Sequence, residues 1–105
     1  MAHTLITDTV DIFRLERTGN TEAYGPTPVV TGIDCGIFPA GNDILAVYPG
    51  MPSFAIFEIY VYEPTTIQNG DKLNSGGTEY IVRGTPQVID NRYMFTQRLV
   101  GEKVV

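Results

Sequence analysis

The sequence is short of the residues on which most catalytic and metal chemistry depends. It has no tryptophan, a single cysteine and a single histidine. Cys35 alone cannot form an intramolecular disulfide, and no CxxC, CxxxH or HxxxH spacing predicts a zinc site. His3 lies in a terminal segment, where side chains are poorly fixed, so no Ser-His-Asp or Cys-His arrangement is predicted. We therefore expect a protein that is not an enzyme, with no catalytic residue, no metal site and no cofactor.

Basic residues are also scarce. Seven lysines and arginines stand against twelve aspartates and glutamates, which gives a formal net charge of -5. The basic residues are scattered, so the chain lacks the basic strip with which proteins hold a phosphate backbone. No apolar run is long enough to cross a bilayer, and the segment MAHTLITDTV lacks the regions of a signal peptide. We expect a soluble, non-secreted protein without membrane contacts.

The dominant pattern is an alternation of apolar and polar residues that glycine and proline interrupt often. A content of 43% hydrophobic and 18% charged residues is typical of a folded chain, and 105 residues suit one domain, 1–105. The pattern predicts an all-β fold, a small antiparallel β-barrel of about six strands with one long inserted loop. Strands are predicted within residues 8–17, 28–38, 54–62, 67–84 and 86–103, with TGNTEAYGPTP as a surface connection.

The alternation also assigns side chains to faces. In the first strand, Phe13 and Leu15 share one face and Arg14 the other. In the second strand, Val29 is predicted on the apolar face and Val30 on the opposite one. That apolar face also carries Ile33, Cys35 and Ile37, so Cys35 is interpreted as core packing rather than as a nucleophile.

The strand at 54–62 is apolar on both faces. One face carries Ala55, Phe57, Ile59 and Val61, and the other carries Phe54, Ile56, Tyr60 and Tyr62, broken only by Glu58. A single antiparallel sheet normally leaves one face to water, so the second face is expected to meet a neighbouring chain or the long loop. Glu58 is then an interfacial partner for an arginine.

The loop at about 39–53 is too apolar for an idle connection and is expected to be buried against something. A short helical turn around residues 43–47 would be capped by Asn42 or Asp43. Together with the outer face of 54–62 it gives the predicted interface, which consists of Asn42, Asp43, Ile44, Leu45, Tyr48, Met51, Ile56, Glu58, Tyr60 and Tyr62.

The stretch IQNGDKLNSGGTEYIVRG, residues 67–84, raises the question of a phosphate loop. It has neither the GxxxxGK[ST] nor the GxGxxG spacing, and strands flank it on both sides. Asn69-Gly70-Asp71 and the Asn74–Gly77 segment are instead predicted to form tight turns, with Tyr80 and Val82 alternating against Glu79, Ile81 and Arg83. The final pair is predicted to place Ile89, Tyr93, Phe95 and Leu99 inward.

The sequence also offers residues for two other kinds of site. Glu58 with Glu63, or Asp34 with Asp43, would be an acid-base pair only if the fold brought them together, and most acidic residues in such a domain are solvated. Tyr48, Tyr60 and Tyr62 would form a stacking platform in a small β-barrel binding module for a sugar, peptide or oligonucleotide. A protein interface uses the same aromatic residues without positive charge, and we favour it.

The order of elements resembles that of the small head-tail connector proteins of tailed bacteriophages. The resemblance rests on DIFRLER, GIDCGIFP, the long apolar loop, the 67–84 stretch and RYMFTQRLV. A recurrent segment of that group, I-x-x-G-D-x-[IL]-x-x-x-G-x-x-Y-x-V-x-G, is matched by Ile67, Gly70, Asp71, Leu73, Gly77, Tyr80, Val82 and Gly84.

The resemblance implies a non-catalytic virion subunit that forms a ring beneath the portal, closes the channel after DNA packaging and docks the tail. The lack of an obvious N-terminal helical segment favours a head-closure (stopper) subunit over an adaptor, and a tail-completion or tail-joining protein is the alternative. Implied partners are the portal or adaptor protein, tail proteins and further copies of the chain, while packaged DNA passes without sequence-specific binding. The implied location is the head-tail interface of the virion, and the host cytoplasm during assembly.

Overall fold

The computed structural model describes residues 8–41, 44, 55–62, 65–88 and 97–104. Within these residues the chain forms eight strands. They are β1 (Asp8–Phe13), β2 (Leu15–Thr18), β3 (Thr21–Tyr24), β4 (Val30–Pro39), β5 (Ile56–Val61), β6 (Lys72–Ser75), β7 (Thr78–Val88) and β8 (Gln97–Lys103). No helix in this part of the chain is both long and apolar enough to span a membrane.

Six of the strands form a closed antiparallel barrel in the order β1, β4, β5, β8, β7, β6, with β6 returning to β1. The predicted all-β fold and small antiparallel barrel are therefore confirmed. Closure gives every barrel strand a neighbour on both sides, which removes the open edges that other chains could pair with. The remaining two strands, β2 and β3, form a separate two-stranded sheet.

The interior of the barrel is filled by aliphatic side chains with few large rings. Its buried cluster consists of Val10, Ile12, Ile33, Cys35, Ile59, Val61, Ile67, Leu73, Tyr80, Val82 and Leu99. They recur at every second position of the barrel strands, as expected for a sheet with one face on the core. Gly101 is buried beside them, where an added Cβ would lie 2.7 Å from Ile59 Cδ1.

The end of the predicted first strand, residues 15–17, and the start of the predicted surface connection, residues 18–24, form a β-hairpin instead, here called the arm (residues 15–24). Its strands pair from Leu15 with Tyr24 to Thr18 with Thr21, so Gly19 and Asn20 form a two-residue turn. Gly19 has a φ of +63°, which a two-residue hairpin turn favours. The prediction failed because nearly every side chain of the arm is exposed, so no apolar alternation marks its strands.

A β-bulge near the start of β4 reverses the predicted facing of Val29 and Val30. Val10 pairs with Ile33 but Ile12 pairs with Val30, so one extra residue lies in β4 between them. Gly32 occupies this bulge with a φ of +66°, and its N–H donates to Asp11 Oδ1 at 3.0 Å. Val30 therefore packs against the core and Val29 is 47% exposed, the reverse of the predicted arrangement.

The glycine-rich stretch 67–84 forms the two predicted turns and the strands that follow them. The Asp71 N–H donates to the Gln68 carbonyl across the first turn, and Gly76 with Gly77 joins β6 to β7. Tyr80 and Val82 lie inward as predicted. All eight residues of the connector-like segment have structural roles: four apolar residues and Asp71 are buried, and the three glycines adopt positive φ.

One polar interaction extends the seam between β1 and β6. After Phe13, which pairs with Lys72, the next residues in the ladder are Arg14 and Asp71. Arg14 donates from Nε and Nη2 to the two carboxylate oxygens of Asp71, at 3.1 and 2.9 Å, and from Nη2 to the Thr66 carbonyl at 2.8 Å. Arg14 therefore continues the alternation of the buried residues Val10 and Ile12 and points to the same side of the sheet. The hydrogen bond to Asp71 raises the pKa of the Arg14 guanidinium.

The segment that joins the last two barrel strands lies outside the described residues. Leu99 lies inward, as predicted, and β7 contains an irregularity between Arg83 and Gln87, where three residues oppose one of β8. The predicted inward positions Ile89, Tyr93 and Phe95, like the histidine at position 3, lie outside the described residues.

The seam interaction predicts an effect on stability. We expect Asp71→Ala to lower the free energy of unfolding by about 2 to 3 kcal/mol, because Arg14 loses both carboxylate bonds and the Gln68 N–H loses its acceptor. Arg17→Ala removes an exposed 3.9 Å ion pair to Glu22 and should change it by less than about 0.5 kcal/mol. Urea unfolding followed by far-UV circular dichroism measures both, and equal losses would contradict the role given to the seam.

Candidate functional site

The structure describes five of the ten residues of the predicted interface. Asn42, Asp43, Leu45, Tyr48 and Met51 lie outside the described residues. Ile44 is half-buried, and its N–H donates to the Gly41 carbonyl at 3.1 Å. The remaining four predicted residues, Ile56, Glu58, Tyr60 and Tyr62, lie in β5 or just after it.

The structure corrects the prediction at Ile56, which has no exposed surface in its own subunit. Its strand is central in the sheet: the Ala40 N–H donates to the Ile56 carbonyl at 3.1 Å on one side, and Ile56 pairs with Glu102 on the other. Because the chain itself covers this side chain, Ile56 offers nothing to a partner. The expectation that the whole outer face of 54–62 lacks cover is therefore wrong at this end.

Further along β5, the outer face carries a cluster that we call the outer-sheet cluster, made of Phe38, Glu58, Tyr60 and Arg98. Antiparallel pairing places Phe38 opposite Glu58 and Arg98 opposite Tyr60. The Tyr60 hydroxyl donates to Glu58 Oε1 at 2.7 Å, and Arg98 Nε lies 3.4 Å from the same oxygen. The rings of Phe38 and Tyr60 are 5.9 Å apart in a tilted arrangement.

Hydrogen bonding and an ion pair within the chain fix the side chains of the outer-sheet cluster. Burial and the hydrogen bond to Glu58 raise the pKa of Tyr60, so the phenol stays protonated at neutral pH. Glu58 forms an ion pair with Arg98 of the same chain, and its predicted role as an interfacial partner for an arginine stays a prediction. A half-buried aromatic ring held in a fixed orientation loses little entropy when it contacts a partner.

Tyr62 is also half-buried, beyond the outer-sheet cluster, and burial raises its pKa. Each of the two acid-base pairs has one member, Glu63 or Asp43, outside the described residues. No group of three or more metal-ligating side chains occurs among the residues described.

Cys35 is fully buried on the core face of β4, as the sequence predicts. Burial raises the pKa of its thiol to about 12, with Asp8 and Asp34 adding to the shift. A thiol with this pKa has almost no thiolate at neutral pH, and the thiolate is the nucleophilic form. The environment of Cys35 is therefore that of a packing residue.

Sequence reasoning missed the residues that hold the base of the arm. The Lys72 ammonium lies 5.2 Å from the centre of the Phe13 ring and 4.9 Å from that of Tyr24, and it pairs with Glu79 at 3.2 Å. The Tyr24 hydroxyl donates to the Gly70 carbonyl at 2.6 Å. The only signal in the sequence was a tyrosine beside Gly-Pro in a polar segment. These contacts fix the direction in which the arm leaves the barrel.

A concavity of about 350 Å³ lies near the end of β7. Among the described residues it is lined by Thr65, Thr66, Ile67, Thr85, Pro86, Val88 and Gln97. None of these described lining residues is aromatic or charged, so they offer no stacking surface for a sugar or base.

Comparison with known proteins places the fold. The chain is similar to the phage-like element PBSX protein xkdH from Bacillus subtilis, with a TM-score of 0.64 and 14% identity over 91% of this chain and 92% of that one. It is also similar to protein SF1141 from Shigella flexneri 2a, with a TM-score of 0.69 and 11% identity over 98% and 96% of the two chains. At these identities the likeness shows a shared fold alone. No family model and no curated protein matches the sequence.

The burial of Cys35 gives a direct prediction. In the native protein at pH 8, we expect the thiol to react with iodoacetamide at least about a hundredfold more slowly than in urea, because the reagent and the thiolate both require opening of the barrel. Mass spectrometry of quenched samples measures the rate. Equal rates in the two conditions would contradict the buried position.

Proposed function

We propose that this protein is a structural subunit of the head-tail connector of a tailed phage or phage-like particle. In this role it forms a ring that closes the portal channel after DNA packaging and docks the tail. It acts by binding and catalyses no reaction. Its place is the virion, reached from the host cytoplasm during assembly.

The observation that carries the proposal is the likeness in fold to a phage-like element protein over more than nine-tenths of both chains. The eight connector-like positions of residues 67–84 are buried or adopt a positive φ, so the resemblance at these positions supports the shared fold. A shared fold leaves function open. The proposal therefore also draws on the surface of this chain.

The charge distribution is compatible with a conduit for DNA. Five of the described basic side chains, Arg14, Arg17, Lys72, Arg83 and Arg98, each lie within 4 Å of a carboxylate oxygen of the same chain. Such pairing leaves little positive charge to bind phosphates, and the formal net charge is -5. Packaged DNA would pass a ring of these subunits without adhering. The same pairing counts against an oligonucleotide-binding module.

The outer-sheet cluster is the proposed contact with the portal or adaptor ring. Its Tyr60 ring is oriented by Glu58 on one side and by Phe38 on the other. Tyrosine and arginine are among the residues enriched at the hot spots of protein interfaces. Arg98 supplies the arginine here, at the adjacent position of β8.

This proposal predicts that Tyr60→Ala weakens binding to the portal protein encoded in the same genome by about tenfold or more, because an interface anchor is removed. Tyr60→Phe keeps the ring and should bind nearly as well as the natural chain. Binding to purified portal is measured by sedimentation, with Lys103→Ala on β8 as an exposed control.

The outcomes distinguish an error in the proposed contact site from an error in the proposed function. If the natural chain binds portal and Tyr60→Ala binds equally, the outer-sheet cluster is not the contact. If the natural chain binds neither portal nor tail proteins, the connector role is wrong. Protection of Cys35 from iodoacetamide verifies that each variant is folded.

A further inference from the structure

The arm is the part of the described chain with open strand edges. The barrel strands each have two neighbours, whereas β2 and β3 pair only with each other. The arm is also almost wholly exposed, with side-chain exposures of 71% at Arg17 and 54% at Glu22. A two-stranded hairpin is at best marginally stable alone, yet the base of this one is fixed by Tyr24 and Lys72.

The alternation of hydrogen-bonded and non-hydrogen-bonded residue pairs in the arm determines which N–H and C=O groups point away from the hairpin. The Gly25 N–H donates to the Arg14 carbonyl at 3.2 Å, so positions 14 and 25 form a hydrogen-bonded pair. Such pairs alternate with non-hydrogen-bonded ones along an antiparallel ladder, so Arg17 and Glu22 form a non-hydrogen-bonded pair. Their N–H and C=O groups point away from the hairpin. No described residue outside the arm hydrogen-bonds to them.

We propose that the outer edge of β3 pairs with the outer edge of β2 in the next copy of this chain, so that the arms form a continuous antiparallel sheet between subunits. In this pairing Glu22 of one copy lies opposite Arg17 of the next. The register repeats the one that joins Arg17 to Glu22 within each arm. The inference rests on the proposed ring and specifies its contact.

Charge favours this head-to-tail pairing over the two-fold pairings that centre on a charged residue. A two-fold axis between two β2 edges centred on Glu16 or Arg17 places that residue opposite its own copy, and one between two β3 edges centred on Glu22 opposes two carboxylates. A two-fold axis centred on Leu15 or Ala23 opposes no like charges, but it joins only two copies and gives a two-chain species in place of a ring. Like charges directly opposite each other destabilise a strand pair. The β3 to β2 pairing instead joins opposite charges at every junction, and a heterologous contact of this kind forms a ring when the rotation between successive copies closes.

The test uses charge reversal in the full-length chain. Arg17→Glu and Glu22→Arg each place like charges at every junction, and each variant alone should lose the ring formed by the natural chain on purified portal. An equimolar mixture of the two variants should recover it, because alternating copies again place Arg opposite Glu at both edges. The double variant R17E/E22R should also form the ring. Sedimentation velocity and native mass spectrometry measure the assembly.

Lys103→Glu is the matched control, since it makes the same charge change as Arg17→Glu at an exposed position on β8 and should leave the ring intact. Rings from either single variant alone, or a mixture that stays unassembled, would overturn the arm contact while leaving the connector role standing. A mixture of the two variants that forms only a species of two chains would also overturn the arm contact. A natural chain that neither binds portal nor forms a ring overturns both proposals.

Discussion

Closure of the barrel along β1 and β6 is the constraint on which the rest of the structure depends. These two strands are far apart in sequence, and their pairing joins the first barrel strand to the hairpin of residues 67–84. Three contacts reinforce the seam: the Ser75 hydroxyl bonds to Asp8 at one end, the Lys72 ammonium lies over Phe13, and Arg14 binds Asp71 at the other end. Without the seam, β1 and β6 would both be open edges.

The same seam sets the position of the arm. Arg14 is the residue between β1 and β2, so its bond to Asp71 fixes the backbone where the arm begins. Tyr24, at the end of the arm, bonds to Gly70, which precedes Asp71. Both ends of the arm are thus held by one turn of the chain. The barrel hides its own edges and holds a hairpin with open edges in a fixed direction.

Much of this fold was predictable from the sequence, because core strands alternate with period two and glycines mark the turns of β6 and β7. The exceptions have physical causes. The bulge at Gly32 shifts the phase of β4, so Val30 rather than Val29 reaches the core. The arm has no buried face, so its strands lack an apolar pattern. The Arg14–Asp71 pair joins residues 57 positions apart. The only indication in the sequence was that Arg14 follows Val10 and Ile12 at alternate positions, so its side chain points to the same side of the sheet. Ile56 carries no mark in the sequence of being covered by its own chain.

The structure also changes what the connector-like segment of residues 67–84 means. Each of its eight positions is buried or adopts a positive φ, so each serves the fold of the barrel whatever the protein binds. A resemblance at these positions therefore reports the fold. Function must be argued from side chains that the fold leaves exposed, namely Arg17 and Glu22 on the arm and the half-buried Tyr60 on the outer sheet. Their substitution is expected to alter assembly while the core remains intact, which separates the two kinds of evidence experimentally.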